Sequence, residues 1–129
     1  MRLTFVALSV SSLGRSLAFY RDLLGVPLTD ESHDASLNDR WYGGPHAAYS
    51  WTDGAFIHFA LYPASLPHRP ASTAAQVGFH VDDFELVHHR VQSAGAAVVQ
   101  EPRVEPWGRT ARYLDPDGNI VSISERAKR

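Results

Sequence analysis

The sequence predicts an α+β fold made of two tandem βαβββ modules, and three observations carry the prediction. A strand-like run passes into a helix-like run twice, first in "LTFVALSV" and "SSLGRSLAFYRDLLG", then in "QVGFHV" and "DDFELVHHRVQSAG". Each pair is followed by three β-rich stretches bounded by turn residues. The two copies also overlay: "DGAFIHFA" (Asp53 to Ala60) lies on "DGNIVSIS" (Asp117 to Ser124), Asp-Gly on Asp-Gly, with His58 opposite Ser122.

Taken in order, residues 3–10 alternate large and small β-formers, as a strand does. Leu17, Phe19, Tyr20, Leu23 and Leu24 recur at helical spacing. Ser11 or Ser12 can cap the helix start, and Gly25 followed by Pro27 stops it. "VPLTDES", "HAAYSW" and "AFIHFALY" read as three strands joined by Gly43-Gly44-Pro45 and the turn "TDG". "PASLPHRPAS" contains three prolines and reads as a semi-rigid linker. In the second copy Asp82 or Asp83 caps a helix with Phe84, Val87 and Val91 facing inward, His88 and His89 facing solvent, and Gly95 as the stop. "AAVVQEP", "RTARYLD" and "NIVSIS" complete it. The expected organisation is one domain over 1–129: a first module at 1–62, a linker at 63–73 and a second module at 74–126. The overlay matches Phe5 with Gln76, Val10 with Val81, Gly25 with Gly95, Gly44 with Gly108 and Tyr49 with Tyr113. The first copy carries one extra residue before Gly25 and six between Gly25 and Asp53.

Composition sets bounds on function. At 129 residues with 44% hydrophobic and 20% charged residues, the chain can bury a core. Its net charge of -2 offers no attraction for nucleic acid or an anionic membrane, so the expected partners are small molecules or proteins. Zero cysteines exclude disulfides, thiolate metal sites and a cysteine nucleophile. Met1 to Val10 does not read as a signal peptide, and no apolar run approaches the roughly 20 residues of a membrane span. The expected location is the cytoplasm.

The stretches "FVALSVSSLGRSLAFYRDLLGVPL", "VGFHVDDFELVHHRVQSAGAAV" and "WGRTARYLDPDGNIVSIS" together resemble the vicinal oxygen chelate superfamily, the group of glyoxalase I, bleomycin-resistance proteins, fosfomycin-resistance proteins and extradiol dioxygenases. "SLAFYRDLLG" combined with "DPDGN" is the specific part, and the resemblance covers nearly the whole chain. It implies sheets that curl around a shared cavity, commonly in a homodimer. It leaves function open, because such a group includes metal-dependent enzymes and proteins that only sequester a drug.

Strand alternation assigns faces. Val6, Leu8, Val10, Ile57, Phe59, Leu61, Val77, Phe79, Val81, Val121 and Ile123 fall on the core side. Phe5, Ala7, Ser9, Phe56, His58, Ala60, Gln76, Gly78, His80, Ile120, Ser122 and Ser124 fall on the cavity side. The resemblance implies that metal-dependent relatives hold a divalent ion at four positions that correspond here to Phe5, His58, Gln76 and Ser122. Phe5 cannot ligate, Ser122 is a poor ligand, and His58 with the Gln76 amide supplies too few donors for a catalytic site. His80 lies two pleats beyond Gln76. "DPDGN" is a turn rather than a calcium loop, because Gly118 stands fourth and Arg126 occupies the closing position.

His58 has two readings: a buried histidine satisfied by a neighbour, or a polar anchor or general base in a binding cavity. The aromatics Trp41, Tyr42, His46, Tyr49, Trp51 and Trp107 are core or interface residues, or, for Trp41, Tyr42 and Trp107 beside flexible glycines, covers of a cavity mouth. The resemblance implies a planar ligand stacking on Trp107, because a similarly placed Trp-Gly lines the ligand groove of bleomycin-resistance-like proteins. The expected function is a metal-independent small-molecule-binding protein without a cofactor. Its ligand is contacted by Phe5, Phe56, His58, Gln76, His80, Trp107 and Ser122. The alternative is a lyase, isomerase or dioxygenase of the same group, with a metal on His58 and Gln76 or with His58 as a metal-free base.

Overall fold

Two four-stranded sheets, each with a helix after its first strand, realise the duplication. The computed structural model describes residues 1–33, 44–64 and 69–125. The first module contains β1 (Phe5–Val10), α1 (Leu13–Leu17) with its π-helical continuation (Ala18–Leu23), β2 (Thr29–His33), β3 (Gly44–Trp51) and β4 (Ile57–Pro63). The second contains β5 (Gln76–His80), α2 (Phe84–Ser93), β6 (Val98–Glu105), β7 (Gly108–Leu114) and β8 (Ile120–Ser124). Strand order is β1-β4-β3-β2 in one sheet and β5-β8-β7-β6 in the other. The first and last strands of each module run parallel and the rest antiparallel. Among the described residues no helix is long and apolar enough to cross a membrane.

Local chemistry accounts for the helices. Ser12 Oγ accepts from the Arg15 amide, and Asp83 Oδ1 accepts from the Leu86 amide. Gly25 and Gly95 end the two helical segments at φ values of 87° and 80°, which a side chain disfavours. The helices differ in one respect. From Ala18 the first widens to a π-helix, where the Leu24 amide donates to the Phe19 carbonyl five residues back at 3.1 Å. A π turn holds more residues than an α turn, so it absorbs the one residue by which the first copy exceeds the second.

The sheets meet through their helix-bearing sides. Leu8, Val10, Leu61, Val121 and Ile123 are buried there as strand alternation requires. Phe59 and Phe79 join the modules edge to face at 5.4 Å, with Tyr20 at 5.8 Å from Phe59 and 6.3 Å from Phe79. The "DPDGN" turn is a clasp beside this joint. The buried Asp115 carboxylate accepts from the Tyr20 hydroxyl, the Asp117 and Asn119 amides and Asn119 Nδ2. Asn119 in turn donates to the Ser72 carbonyl and accepts from the Ala75 amide. Burial first, and then Asp115, push the Tyr20 phenol upward, so it remains a donor.

Several expectations need correction. His88 is buried rather than solvated. Its Nδ1 lies 2.5 Å from the Tyr113 hydroxyl, and its ring stacks on Phe84, so a helical position that looked polar belongs to the core. Ser9, assigned to the cavity, is buried by the end of the linker: its amide donates to Ser72 Oγ and its carbonyl accepts from the Ser72 amide. Pro63 still belongs to β4, and β5 begins only at Gln76.

Candidate functional site

The two modules share a cavity of about 410 Å³ lined by Leu3, Val6, Trp51, Ile57 and Phe59 from the first and by Gln76 to His80 from the second. Because β5 is an edge strand, the cavity reaches both of its faces. Val77 and Phe79, expected in the core, are therefore half-buried walls, while Gln76 and His80 supply polar groups. His80 Nδ1 is 2.9 Å from Ser124 Oγ. A neighbouring recess of about 340 Å³ shares Trp51, Phe79 and His80 with the first. The sequence reading missed Trp51 as a wall, although its pairing with Ile57 places it on the same side.

The opposite, open faces carry most of the other expected residues. On the first sheet Phe5, His58 and Ser50 stand in one row across β1, β4 and β3. His58 Nδ1 and Ser50 Oγ share a hydrogen bond of 2.7 Å, and the Phe5 ring lies parallel to the imidazole at 5.6 Å. His58 is thus both satisfied and half-exposed. Further along that face His46 is buried, stacked on Tyr62 at 4.5 Å, with Nε2 at 3.2 Å from Glu31.

On the second sheet the corresponding row is Gly78, Ser122, Arg112 and Gln100 across β5, β8, β7 and β6. Gln76 pairs with Ile120 instead, one pleat from Ser122. The overlay of Phe5 on Gln76 is consequently displaced by two residues when His58 is laid on Ser122. Phe56 precedes β4 rather than alternating within it and is half-exposed. Trp107 occupies the turn between β6 and β7, 55% exposed, with Nε1 donating to Thr110 Oγ1 at 3.2 Å. Trp41 and Tyr42 lie outside the described residues. The expected binding set is therefore divided: Gln76 and His80 border the shared cavity, Phe5 and His58 form one row, and Ser122 belongs to another.

These positions do not fit a divalent ion. A phenyl ring occupies the strand position beside His58, and Gln76 and Ser122 stand at different levels, so His58 is without a second strong ligand in its row. Among the described residues no three His, Cys, Asp or Glu side chains come together to hold a metal.

A model of the Glyoxalase/Bleomycin resistance protein/Dioxygenase superfamily matches residues 2–123. The chain belongs to this superfamily. It is 27% identical over 125 residues to the glutathione transferase FosA of Serratia marcescens, covering 94% of this chain and 78% of that protein. Its fold is similar to that of TnmS3, an antibiotic binding protein from Streptomyces sp. CB03234, with a TM-score of 0.67 and 23% identity, covering 98% of this chain and 97% of that one. A glyoxalase/bleomycin resistance protein from the same organism is 26% identical with a TM-score of 0.67, covering 95% and 99%. The fold of this superfamily member is thus two βαβββ modules with open sheets.

Proposed function

We propose that this superfamily member is a cytoplasmic, homodimeric protein that binds a small organic molecule against its open sheet faces without a metal. The observation that carries the reading is the row of Phe5, His58 and Ser50. A stacked ring and a hydroxyl occupy the surroundings of the single strong donor, which suits a planar ligand and one polar anchor. Similarity to an antibiotic binding protein supports the binding class. A second reading, a metal-free enzyme with His58 as base, draws on the Ser50 hydrogen bond, which orients the ring and fixes which nitrogen is free.

Tryptophan fluorescence titration against planar aromatic compounds and small 2-oxo acids tests both readings. His58→Ala is expected to weaken binding by roughly 1 to 3 kcal/mol, more than it weakens folding, because it removes a polar partner of the ligand. The reverse order, a lowered Tm with unchanged affinity, would make His58 structural. Turnover of a 2-oxo acid without metal would favour the enzyme.

Zinc, nickel, manganese or iron(II) is expected to leave Tm nearly unchanged. A true ligand at a hundredfold excess over Kd stabilises by about 2.7 kcal/mol. Stoichiometric metal with His58 among its ligands would overturn the metal-free reading.

Light scattering at micromolar concentration is expected to return a dimer. Open strand edges and the exposed Phe5, Phe56, Val104 and Trp107 leave apolar surface that a symmetric copy can cover. A stable monomer contradicts that expectation.

A further inference from the structure

The open face of the second sheet carries the donors Arg112, Gln100 and Ser122 side by side in one row. Arg112 is half-buried at the centre of this face, and among the described residues its one hydrogen bond is from Nη1 to the Gln100 side-chain oxygen. Arg90 donates to the Leu23 carbonyl, whereas three other arginines of the described residues meet carboxylates: Arg21 with Asp22 and Asp30, Arg103 with Glu105, and Arg109 with Glu85 and Glu125. Arg112 meets none. Gln100 spends its oxygen on Arg112, which leaves Nε2 buried and without a partner. On the other side of Arg112, Ser122 pairs across the strands and has no hydrogen bond to its hydroxyl among the described residues.

Of these groups, Gln100 Nε2 is the one buried without a partner among the described residues, while the half-buried Arg112 and Ser122 stand beside it. A half-buried guanidinium loses part of its hydration without a counter-charge, and a buried amide N–H without an acceptor costs about 1 to 3 kcal/mol. Side by side they ask for the same thing, an acceptor carrying negative charge. The space for it exists at Gly78, the next residue in the row. A Cβ built there would approach Ser122 Oγ to 2.7 Å, so the absence of a side chain keeps that hydroxyl uncovered. Thr110, two residues from Arg112 on the same face of β7, accepts from the Trp107 indole and so holds that ring beside the neighbouring row, toward the β6–β7 turn.

We infer that Arg112, Gln100 and Ser122 form an oxyanion anchor, and that the bound molecule is an aromatic carboxylate whose ring lies toward Trp107. The inference rests on the small-molecule reading above and names the ligand class for it. A guanidinium fork binds a planar carboxylate through two parallel hydrogen bonds, and Gln100 Nε2 and the Ser122 hydroxyl are further donors beside it. The competing source of negative charge is an Asp or Glu of a second copy of the chain.

Isothermal titration calorimetry with 2-naphthoate and its neutral counterpart 2-naphthamide separates these cases, with sedimentation velocity run on every variant. The unaltered protein is expected to bind the carboxylate at least about tenfold more tightly than the amide. In Arg112→Met that preference falls to near unity, while affinity for the amide changes by no more than about twofold. Arg112→Lys keeps the charge but loses the fork, and retains part of the preference; it also provides a folded comparison should Arg112→Met be unstable. Equal affinity for the two compounds in the unaltered protein overturns the anchor and leaves small-molecule binding standing. A preference that survives Arg112→Met also overturns the anchor. Binding of neither compound rejects both the anchor and the binding reading of this face. Dissociation of a dimer by Arg112→Met, with no carboxylate preference in the unaltered protein, assigns the counter-charge to the second copy and overturns the inference.

Discussion

Asp115→Ala is expected to destabilise the protein by about 3 to 5 kcal/mol, a large share of the stability of a domain this size. The carboxylate is 5% exposed and both of its oxygens are fully used. Oδ1 takes the Asp117 and Asn119 amides at 2.9 and 2.8 Å, and Oδ2 takes the Tyr20 hydroxyl and Asn119 Nδ2 at 2.6 and 2.9 Å. Alanine leaves the completely buried Tyr20 hydroxyl and the Asp117 and Asn119 amides unpaired, and takes from Asn119 Nδ2 one of its two acceptors, the Ser72 carbonyl being the other. Because the Tyr20 phenol is held protonated, it cannot adapt by giving up its proton. Urea denaturation measures the loss, and Tyr20→Phe supplies the control. Where the Tyr20 hydroxyl is already absent, Asp115→Ala should cost measurably less, because one of the orphaned donors is gone. A loss below about 1 kcal/mol would mean that the clasp between the turn and the first module contributes little.

Phe59→Ala should follow closely, at about 3 to 5 kcal/mol. Phe59 is 3% exposed, and its ring contacts both Tyr20 and Phe79, so it carries apolar contact across the joint between modules. It is also a wall of the 410 Å³ cavity. Deleting the ring enlarges a space that the flanking sheets cannot close, because each is pinned by its own hydrogen-bond ladder. Val6→Ala provides the comparison: it faces the same cavity but is only partly buried, and removes less surface. Phe59→Ala should therefore have the lower denaturation midpoint. The opposite order would show that the aromatic joint does not hold the modules together.

What the amino-acid sequence by itself determined is local and periodic. The duplication, the stops at Gly25 and Gly95 and the caps, at Ser11 or Ser12 and at Asp82 or Asp83, follow from neighbouring residues, and the structure assigns the caps to Ser12 and Asp83. So does the separation of strand residues into two faces, which placed Leu8, Val10, Leu61, Val121 and Ile123 in the core. Even the π-helical turn has its signal in the one surplus residue before Gly25. Resemblance to the vicinal oxygen chelate group likewise named the family that the match over residues 2–123 shows.

Strand register belonged to the tertiary structure. Side-chain alternation has a period of two, so a slip by two residues leaves every face unchanged, and the pattern could not tell whether Gln76 or Gly78 stands beside Ser122. Turn lengths and packing between modules decide that, and with it the row that brings Arg112 beside Gln100 and Ser122. The burial of His88 was equally invisible, because a histidine on a helix is polar until Tyr113 and Phe84 from the folded core surround it. The shared cavity was legible only in part. Its walls are core-type residues that stay half-buried because β5 lies at a sheet edge, and a strand's place in its sheet is set by long-range pairing rather than by its own residues.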